Sequence, residues 1–272
     1  MKFSKLLGTD IKEFLKKIRF KYQNRNFKPY TVDRTLYGTD FKFYVANLDA
    51  QDWYLDETSI SSDTMEWMWP EMEFIKNNIC KPGDMVLECG GHHGLTAVVI
   101  SKWIGNGQLY TFEPNPDNLA IIKKNVEIND VKNITVVPDA VGAEDGEIWV
   151  TNSSSNSYIL KGNEHNGIKV PVVKLDDYAH LNPTVIKIDV EGFELEVLKG
   201  ACQILKTLPR LAIEMHPVMI NRYGGTVSEL INLLDPAYEL WIQEEIYGKA
   251  VFHDRSVPIP FVNKGFLFAI PR

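Results

Sequence analysis

Apolar residues recur along this chain at two spacings, one helical and one typical of strands. Within residues 9–20 one side of a helix is apolar, and it consists of Ile11, Phe14, Leu15 and Ile18. Their offsets of 0, 3, 4 and 7 predict an amphipathic helix. Residues 41–55 predict strands of a hairpin or meander, and residues 64–79 predict a helix that kinks or restarts at Pro70.

From Asp84 onward, short apolar runs rich in β-branched residues alternate with helical patterns. This alternation predicts an α/β fold with a doubly wound, mostly parallel sheet. The strand-forming segments are MVLECGG, GQLYTFEP, NITVVPDAVG, TVIKIDVEG, RLAIEMHP, YELWIQEE and KGFLFAIPR. Two further segments, EIWVTN and VPVVKLDDY, predict an antiparallel excursion. We therefore expect an N-terminal extension of basic helix, hairpin and helical cap over residues 1–80, and a main domain over residues 81–272.

Composition says more about the cellular compartment of this protein than about its function. The chain has 272 residues and no apolar run of 18 or more, so we expect no transmembrane helix. It shows no signal peptide, and its three cysteines have no metal-type spacing. These features predict a cytoplasmic protein without a disulfide framework.

Charge is distributed unevenly between the two ends of the chain. Residues 1–28 hold nine Lys and Arg against two acids, which gives +7, and the remainder therefore carries −14 of the total of −7. An acidic body argues against a nucleic-acid-binding track. The basic arm leaves three interpretations open: a cap or homo-oligomer contact, weak attachment to an anionic membrane surface, or steering of an anionic acceptor.

A glycine-rich loop follows the first strand of the main domain. Gly90, Gly91 and Gly94 separate that strand from a helix, and Glu113 ends the next strand, 19 residues after Gly94. A carboxylate at this distance can accept hydrogen bonds from both hydroxyls of a ribose. The spacing is G-G-x-x-G rather than G-x-G-x-x-G, and Glu88 would repel a pyrophosphate. The loop therefore suits the cationic S-adenosylmethionine better than a nicotinamide dinucleotide.

Acidic side chains also end two later strands. Asp189 and Glu191 follow the strand at 185–188, and the next strand ends with Glu214 and His216. Strand periodicity puts Lys187 on the same face as Asp189. We expect these groups to meet beside the reacting atoms, where a base or a divalent cation would activate a hydroxyl.

Several of these residues also have a purely structural interpretation. Glu191 could favour the start of the following helix through its charge. Glu194 and Glu196 are expected on a solvated helix face. A metal site of Asp189, Glu214 and His216 would suit Mg²⁺ or Mn²⁺, but the sequence does not decide between metal and base.

The chain resembles the FkbM family of S-adenosylmethionine-dependent methyltransferases over roughly residues 41–270. The motifs that carry the resemblance are KPGDMVLECGGHHG, LYTFEPNPDN, VVPDAVG, VKLDDY, TVIKIDVEGFELEVLKGA and LAIEMHP. The resemblance implies a class I methyltransferase fold, with a seven-stranded sheet that contains one antiparallel strand. Glu88 and His92 depart from the family pattern, which usually has Asp and Asn at these positions.

The resemblance also implies roles for individual residues. Glu88, Gly90 and Gly94 would surround the methionine moiety, Glu113 would hold the ribose, and Asp139 with Ala140 would border the adenine. The complete expected cofactor-binding set is Glu88, Gly90, Gly91, His92, Gly94, Glu113, Pro114, Asp139, Ala140 and Asp189. The expected catalytic set is Lys187, Asp189, Glu191, Glu214 and His216.

The function that follows is O-methylation of a hydroxyl on a sugar, a glycan or a related small metabolite. Two alternatives stay open: a methyltransferase-like binding protein without turnover, and a metal-dependent methyltransferase with a non-sugar acceptor. The strand end reads DVEG, which is not the Asn/Asp-Pro-Pro-aromatic tetrapeptide of enzymes that methylate base amino groups. Nucleic acid is therefore not the expected acceptor.

Overall fold

A computed structural model describes residues 25–48, 50–51, 69–151, 159–160, 167–245 and 248–272. The helix expected at 9–20, the basic arm up to residue 24 and the first part of the helix expected at 64–79 lie outside these residues. The strands are β1 (Tyr30–Leu36), β2 (Thr39–Val45), β3 (Met85–Cys89), β4 (Gln108–Phe112), β5 (Ile134–Val137), β6 (Ala140–Val141), β7 (Gly146–Thr151), β8 (Gly167–Val173), β9 (Val185–Ile188), β10 (Arg210–Met215), β11 (Tyr238–Gln243), β12 (Val251–His253) and β13 (Gly265–Pro271). The helices are α1 (Pro70–Phe74), α2 (Leu95–Ile104), α3 (Pro116–Ile128), α4 (Glu194–Lys199), α5 (Cys202–Leu205), α6 (Pro217–Arg222) and α7 (Val227–Asn232), with a π-helical turn at Ile75–Ile79 and a 3-10 helix at Leu175–Leu181.

The central sheet has the strand order β12-β11-β13-β10-β9-β3-β4-β5. Strands β10, β9, β3, β4 and β5 run parallel, while β13 is antiparallel to both of its neighbours. This confirms the α/β, doubly wound, mostly parallel fold. Among the described residues the sheet has eight strands rather than seven, because the short strand β12 pairs antiparallel with β11 at the edge. The strand order reverses between β3 and β9, and ligands of such sheets bind at the carboxyl ends beside this point.

Both faces of the sheet are covered, which explains why its central strands are nearly uniform apolar runs. All four residues of β9 are buried. On one face, β3, β9 and β10 contribute Leu87, Ile186 and Leu211 to a core that includes residues of α4 and α7. On the other face, Val86 packs in a cluster with the N-terminal hairpin and α2.

The N-terminal hairpin lies earlier in the chain than predicted. Its strands β1 and β2 lie within residues 30–45, so the strand prediction for 41–55 is confirmed at 41–45, while residues 52–55 lie outside the described part of the chain. Tyr37 and Gly38 form the two-residue turn, with φ of 51° and 76°. Positive φ at both turn positions suits the twist of a hairpin. Strand β1 escaped prediction because its burial is weak and alternates only partly.

Pro70 acts as a helix start and not as a kink. It is the first residue of α1, where its missing N–H costs no hydrogen bond, and Trp69 before it is extended. The antiparallel excursion is confirmed for β7 and β8, which in the described part of the chain form a separate sheet of three strands with β6. The end of the second predicted segment, from Leu175 onward, is a 3-10 helix instead. Among the described residues, no helix combines the length and the hydropathy needed to cross a membrane.

Candidate active site

The glycine loop brings the ends of β3 and β9 into direct backbone contact. Gly90 has φ of 89°, and a Cβ at this position would lie 1.8 Å from the carbonyl oxygen of Asp189. The N–H groups of Gly90 and Gly91 both donate to the carbonyl oxygen of Phe112 at 3.0 Å. Only glycine fits here, since it accepts positive φ and has no side chain. The loop thereby places Asp189 beside the bend.

Glu113 is held in a fixed orientation at the end of β4. Its Oε2 accepts from the N–H of His92 at 2.8 Å, and its Oε1 accepts from the N–H of Asn115 at 2.9 Å and from Nδ2 of Asn118 at 3.3 Å. Burial raises the pKa of Glu113 to about 7, although these donors oppose the shift. The carboxylate is therefore preorganised as a hydrogen-bond acceptor, but it loses its charge in mild acid.

A first cavity opens above the carboxyl ends of β3, β4 and β9. It holds about 840 Å³ of empty space, a figure that includes the open solvent at its mouth. The residues that line it include Gly90, His92, Glu113, Pro114, Asn118, Asp139, Ala140, Asp189 and Glu191. Of the expected cofactor-binding set, all but Glu88, Gly91 and Gly94 line this cavity.

The structure places Glu88 beneath the glycine loop and Gly94 at its junction with α2. Glu88 is fully buried beneath the loop, where it accepts hydrogen bonds from the hydroxyls of Thr96 and Thr111 and pairs with Lys187 at 3.5 Å. Neighbouring strand positions bring Glu88 and Lys187 together, so Glu88 neutralises a buried ammonium rather than lining a cavity. Gly94 is the N-cap of α2, where a Cβ would lie 3.1 Å from Ile122.

A second cavity shares Gly90, His92 and Asp189 with the first. It extends under α1 and is also lined by Trp69, Glu71, Gly91, Thr96, Lys187 and Glu214. Burial raises the pKa of Glu71 to about 7, and its Oε2 is buried without a hydrogen-bond partner among the described residues. The sequence pattern gave no sign of Glu71, because an acid in the first turn of a helix is ordinary.

The strand-end acids meet as predicted. His216 Nε2 lies 3.5 Å from Glu214 Oε1 and 3.6 Å from Glu191 Oε2. Glu191 has φ of 52° and lies three residues before α4, so it does not serve as a helix cap. A non-glycine residue with positive φ is strained, and such strain is concentrated at functional sites.

Asp189 is a strand-end acid whose pKa is raised into the range near neutral pH. Burial and the negative charge of Glu214 raise the pKa of Asp189 to about 8, while Lys187 and His216 oppose the rise. Glu214 differs: burial raises its pKa, but a hydrogen bond from His216 and the charge of Lys264 outweigh burial and leave it at about 2. The two carboxyls thus differ in the readiness with which they take up a proton.

Two residues of this cluster were not predicted. Glu194, expected on a solvated face, is fully buried and lies 2.7 Å from His216 Nδ1. Lys264, from the loop before β13, pairs with Glu214. Nothing local marks either residue, because the partner of each lies at the end of β10 or directly after it, far away in sequence.

The atoms of Asp189, Glu214 and His216 lie within 4.8 Å of one another, as a metal site would require. Lys264 already contacts Glu214, and carboxylates face both ring nitrogens of His216. A divalent ion would have to displace the ammonium of Lys264 from Glu214 and the proton that the imidazole of His216 shares with Glu214. The residues therefore fit a metal poorly.

Taken together, an open parallel sheet, a glycine loop at its reversal point and an acid on the next strand define an α/β enzyme that binds a nucleoside-type cofactor. Residues 88–243 match the model of the methyltransferase FkbM domain. The chain therefore belongs to the FkbM methyltransferase family, which confirms the resemblance seen in the sequence.

Individual relatives are distant. The chain is 28% identical over 144 residues to hexuronic acid methyltransferase AglP of Haloferax volcanii, across 49% of this chain and 56% of the relative. It is 22% identical over 142 residues to methyltransferase 1 of Beauveria bassiana, across 42% of this chain and 57% of that one. The match thus spans little more than half the length of these relatives. A solved methyltransferase FkbM from Methylobacillus flagellatus is 18% identical, with a TM-score of 0.44, over 68% of this chain and 43% of that chain.

Proposed function

We propose that this protein is an S-adenosylmethionine-dependent O-methyltransferase whose acceptor is a hydroxyl of a sugar, a glycan or a related small metabolite. The observation that carries the proposal is the position of Asp189, which lines both cavities at their junction on the glycine loop. A carboxyl whose pKa lies near neutrality at this junction is suited to receive the proton of an alcohol.

The two cavities suit the two halves of the cofactor. In the first, Glu113 would accept hydrogen bonds from the ribose, and Asp139 and Ala140 would border the adenine. In the second, Glu71 would face the amino group of the methionine and Lys187 its carboxylate. The sulfonium would then lie at the junction, where the nearby carboxylates favour its positive charge.

Methyl transfer at this junction is an in-line displacement. Bound S-adenosylmethionine would supply the methyl group: the acceptor oxygen would form a bond to the methyl carbon as the carbon–sulfur bond breaks, and S-adenosylhomocysteine would be released. Asp189, in its ionised form, takes the proton of the hydroxyl. A positioned base accelerates such a reaction by typically about 10²–10⁴-fold, and alignment of the two reactants contributes further.

A polyhydroxylated acceptor suits the rest of the site. Glu191 and Glu214 offer acceptor oxygens beside Asp189, and sugar hydroxyls are donors to such groups. The relative from Haloferax volcanii is named for a hexuronic acid, which supports a sugar acceptor. A hexuronic acid offers both hydroxyls and a carboxylate, so the methylated atom needs its own test.

Asp189→Asn tests the catalytic assignment. We expect S-adenosylhomocysteine to bind within a few-fold of wild type, because the amide keeps the shape of the carboxyl. Methyl transfer from radiolabelled cofactor to a panel of neutral and uronic sugars should fall by about 10²–10⁴-fold. Asp177→Asn, which changes an exposed acid of the 3-10 helix Leu175–Leu181, is the matched control. Turnover within a few-fold of wild type would refute the role of Asp189.

The product distinguishes a hydroxyl from a carboxylate acceptor. A methyl ether survives mild alkali, whereas a methyl ester is hydrolysed and releases labelled methanol. Release of the label would contradict O-methylation at a hydroxyl. Complete absence of turnover with intact cofactor binding would favour the alternative of a binding protein.

Excess chelator tests the metal-dependent alternative. Because Lys264 and His216 already compensate the carboxylates, we expect full activity after EDTA treatment and gel filtration. Loss of activity that Mg²⁺ or Mn²⁺ restores would show instead that a cation activates the acceptor.

A further inference from the structure

The carboxylate of Glu194 is buried next to the imidazole of His216. Glu194, the first residue of α4, has no exposed surface. Its Oε1 accepts from the N–H of Gly192 at 2.8 Å and lies 2.7 Å from Nδ1 of His216. Its Oε2 is buried without a hydrogen-bond partner among the described residues. Such a carboxylate is costly to bury, so its main compensation is the contact with His216.

His216 connects this buried carboxylate to the cleft. It caps α6 directly after β10, and its ring is itself buried. While Nδ1 faces Glu194, Nε2 faces Glu214 and Glu191 at 3.5 and 3.6 Å. Glu194 therefore fixes the orientation of the His216 ring on one side, and the other side of the ring faces Glu214 and Glu191.

We propose that Glu194 is a positioning residue that, through His216, holds Glu191 and Glu214 in place on the acceptor side and leaves Asp189 as the proton acceptor. The inference rests on the proposed function for its catalytic part. The pairing of Glu194 with His216 does not depend on that function.

The electrostatics of the ring explain this division of roles. The groups that face His216 are Glu194, Glu191, Glu214 and Asp189, and Lys264 joins them through Glu214. Burial lowers the pKa of His216, but the hydrogen bonds with Glu194 and Glu214 outweigh it and raise that pKa to about 10. A protonated imidazole donates from both nitrogens and has no lone pair for a substrate proton. His216 is therefore a clamp for carboxylates and not the base.

Glu194→Gln removes the charge and keeps the size of the side chain. Its matched control is Glu196→Gln on the same helix, where a partly exposed carboxylate pairs with Lys199 at 2.6 Å. Three readouts are compared. They are the ring-nitrogen NMR signals of His216 in ¹⁵N-histidine-labelled protein at neutral pH, the affinity for S-adenosylhomocysteine, and kcat with an acceptor that the wild-type protein methylates. Both substitutions are also made in a His216→Asn background.

In the wild type and in Glu196→Gln we expect both ring nitrogens of His216 to carry protons at pH 7.5. In Glu194→Gln the pKa of His216 should fall by about 1–3, so that a neutral ring appears as the pH rises. We expect kcat to fall at least about tenfold, an interaction loss of the size that charge-assisted hydrogen bonds give, with cofactor affinity unchanged. In the His216→Asn background, Glu194→Gln should have no further effect on kcat.

A neutral His216 in the wild type at pH 7.5 would overturn the inference without any variant, including the case in which Glu194→Gln fails to fold. An equal loss of kcat in the His216→Asn background would also overturn it, since Glu194 would then act by another route. If no hydroxyl acceptor is methylated by the wild type, the proposed function fails, while the NMR signals still decide the pairing.

Discussion

At the scale of single residues, the site gives carboxyl groups of the same chemical type different pKa values. Asp189 and Glu214 both end strands and share one face of the sheet, yet burial keeps the pKa of the first near 8 and paired cations keep that of the second near 2. Carboxylates in different environments can then perform different roles at one pH. The same logic applies to Glu113, which is buried among donors and loses its charge in mild acid.

Cofactor binding should weaken in acid because of Glu113. The pKa of this group in the free protein is about 7, and only the ionised form accepts hydrogen bonds from both ribose hydroxyls at full strength. We expect the Kd of S-adenosylhomocysteine to be constant above about pH 8 and to rise toward tenfold per pH unit below about pH 7. Isothermal titration calorimetry from pH 5.5 to 8.5 measures it.

The control separates Glu113 from Glu71, whose pKa is raised to a similar value. 5′-Methylthioadenosine carries the adenosine but no amino acid, so its pH dependence should report Glu113 and not Glu71. Glu113→Gln should bind both ligands weakly and without this pH dependence. A flat Kd between pH 6 and 8 in the wild type would contradict the placement of the ribose.

At the scale of elements, the N-terminal hairpin is tied to the glycine loop through one helix. Asn125 of α3 is fully buried; its Oδ1 accepts from the N–H of Tyr44 in β2 at 2.7 Å, and its Nδ2 donates to the carbonyl of His93 at 2.8 Å. Asn129 lies one turn later and bonds both backbone groups of Lys42. The hairpin therefore supports the loop that carries Gly90 and His92.

Asn125→Ala should destabilise the protein and loosen the cofactor site. It leaves a buried N–H and a buried carbonyl without this partner, at a cost of about 1–3 kcal/mol for each group. The free energy of unfolding in urea and the affinity for S-adenosylhomocysteine should both fall. Asn129→Ala is the control, because water can replace its more exposed hydrogen bonds. Equal effects of the two substitutions would show that the contact to His93 has no special importance.

At the scale of the whole molecule, the strand order decides where the ligands bind. The reversal between β3 and β9 leaves a crevice at the carboxyl ends, and both cavities open there, on either side of the glycine loop. The helix α1 covers one of them and the small sheet β6-β8-β7 borders the other.

A ligand that bridges both cavities should stabilise the fold as a whole. At a concentration 100 times its Kd, S-adenosylhomocysteine adds about 2.7 kcal/mol, which corresponds to a rise in Tm of about 5–10 °C for a chain of this size. NAD should give no rise, because the loop lacks the dinucleotide spacing and Glu88 lies beneath it. Differential scanning fluorimetry compares them, with adenosine as the partial ligand. An equal shift with NAD would refute the cofactor assignment.

The sequence by itself determined the alternation of strands and helices, because burial on both faces imposes continuous apolar runs on parallel strands. It also located the glycine loop, Glu113 and the acids at the strand ends, since parallel strands end at one edge. The partners of those acids followed only from tertiary structure. Three residues come to the site from separate elements, namely Glu194, Lys264 and Glu71. Glu88, in contrast, is buried in an ion pair with Lys187 of the neighbouring strand. Which carboxyl keeps its proton depends on these contacts, because burial and neighbouring charge set a pKa, and neither is local in sequence.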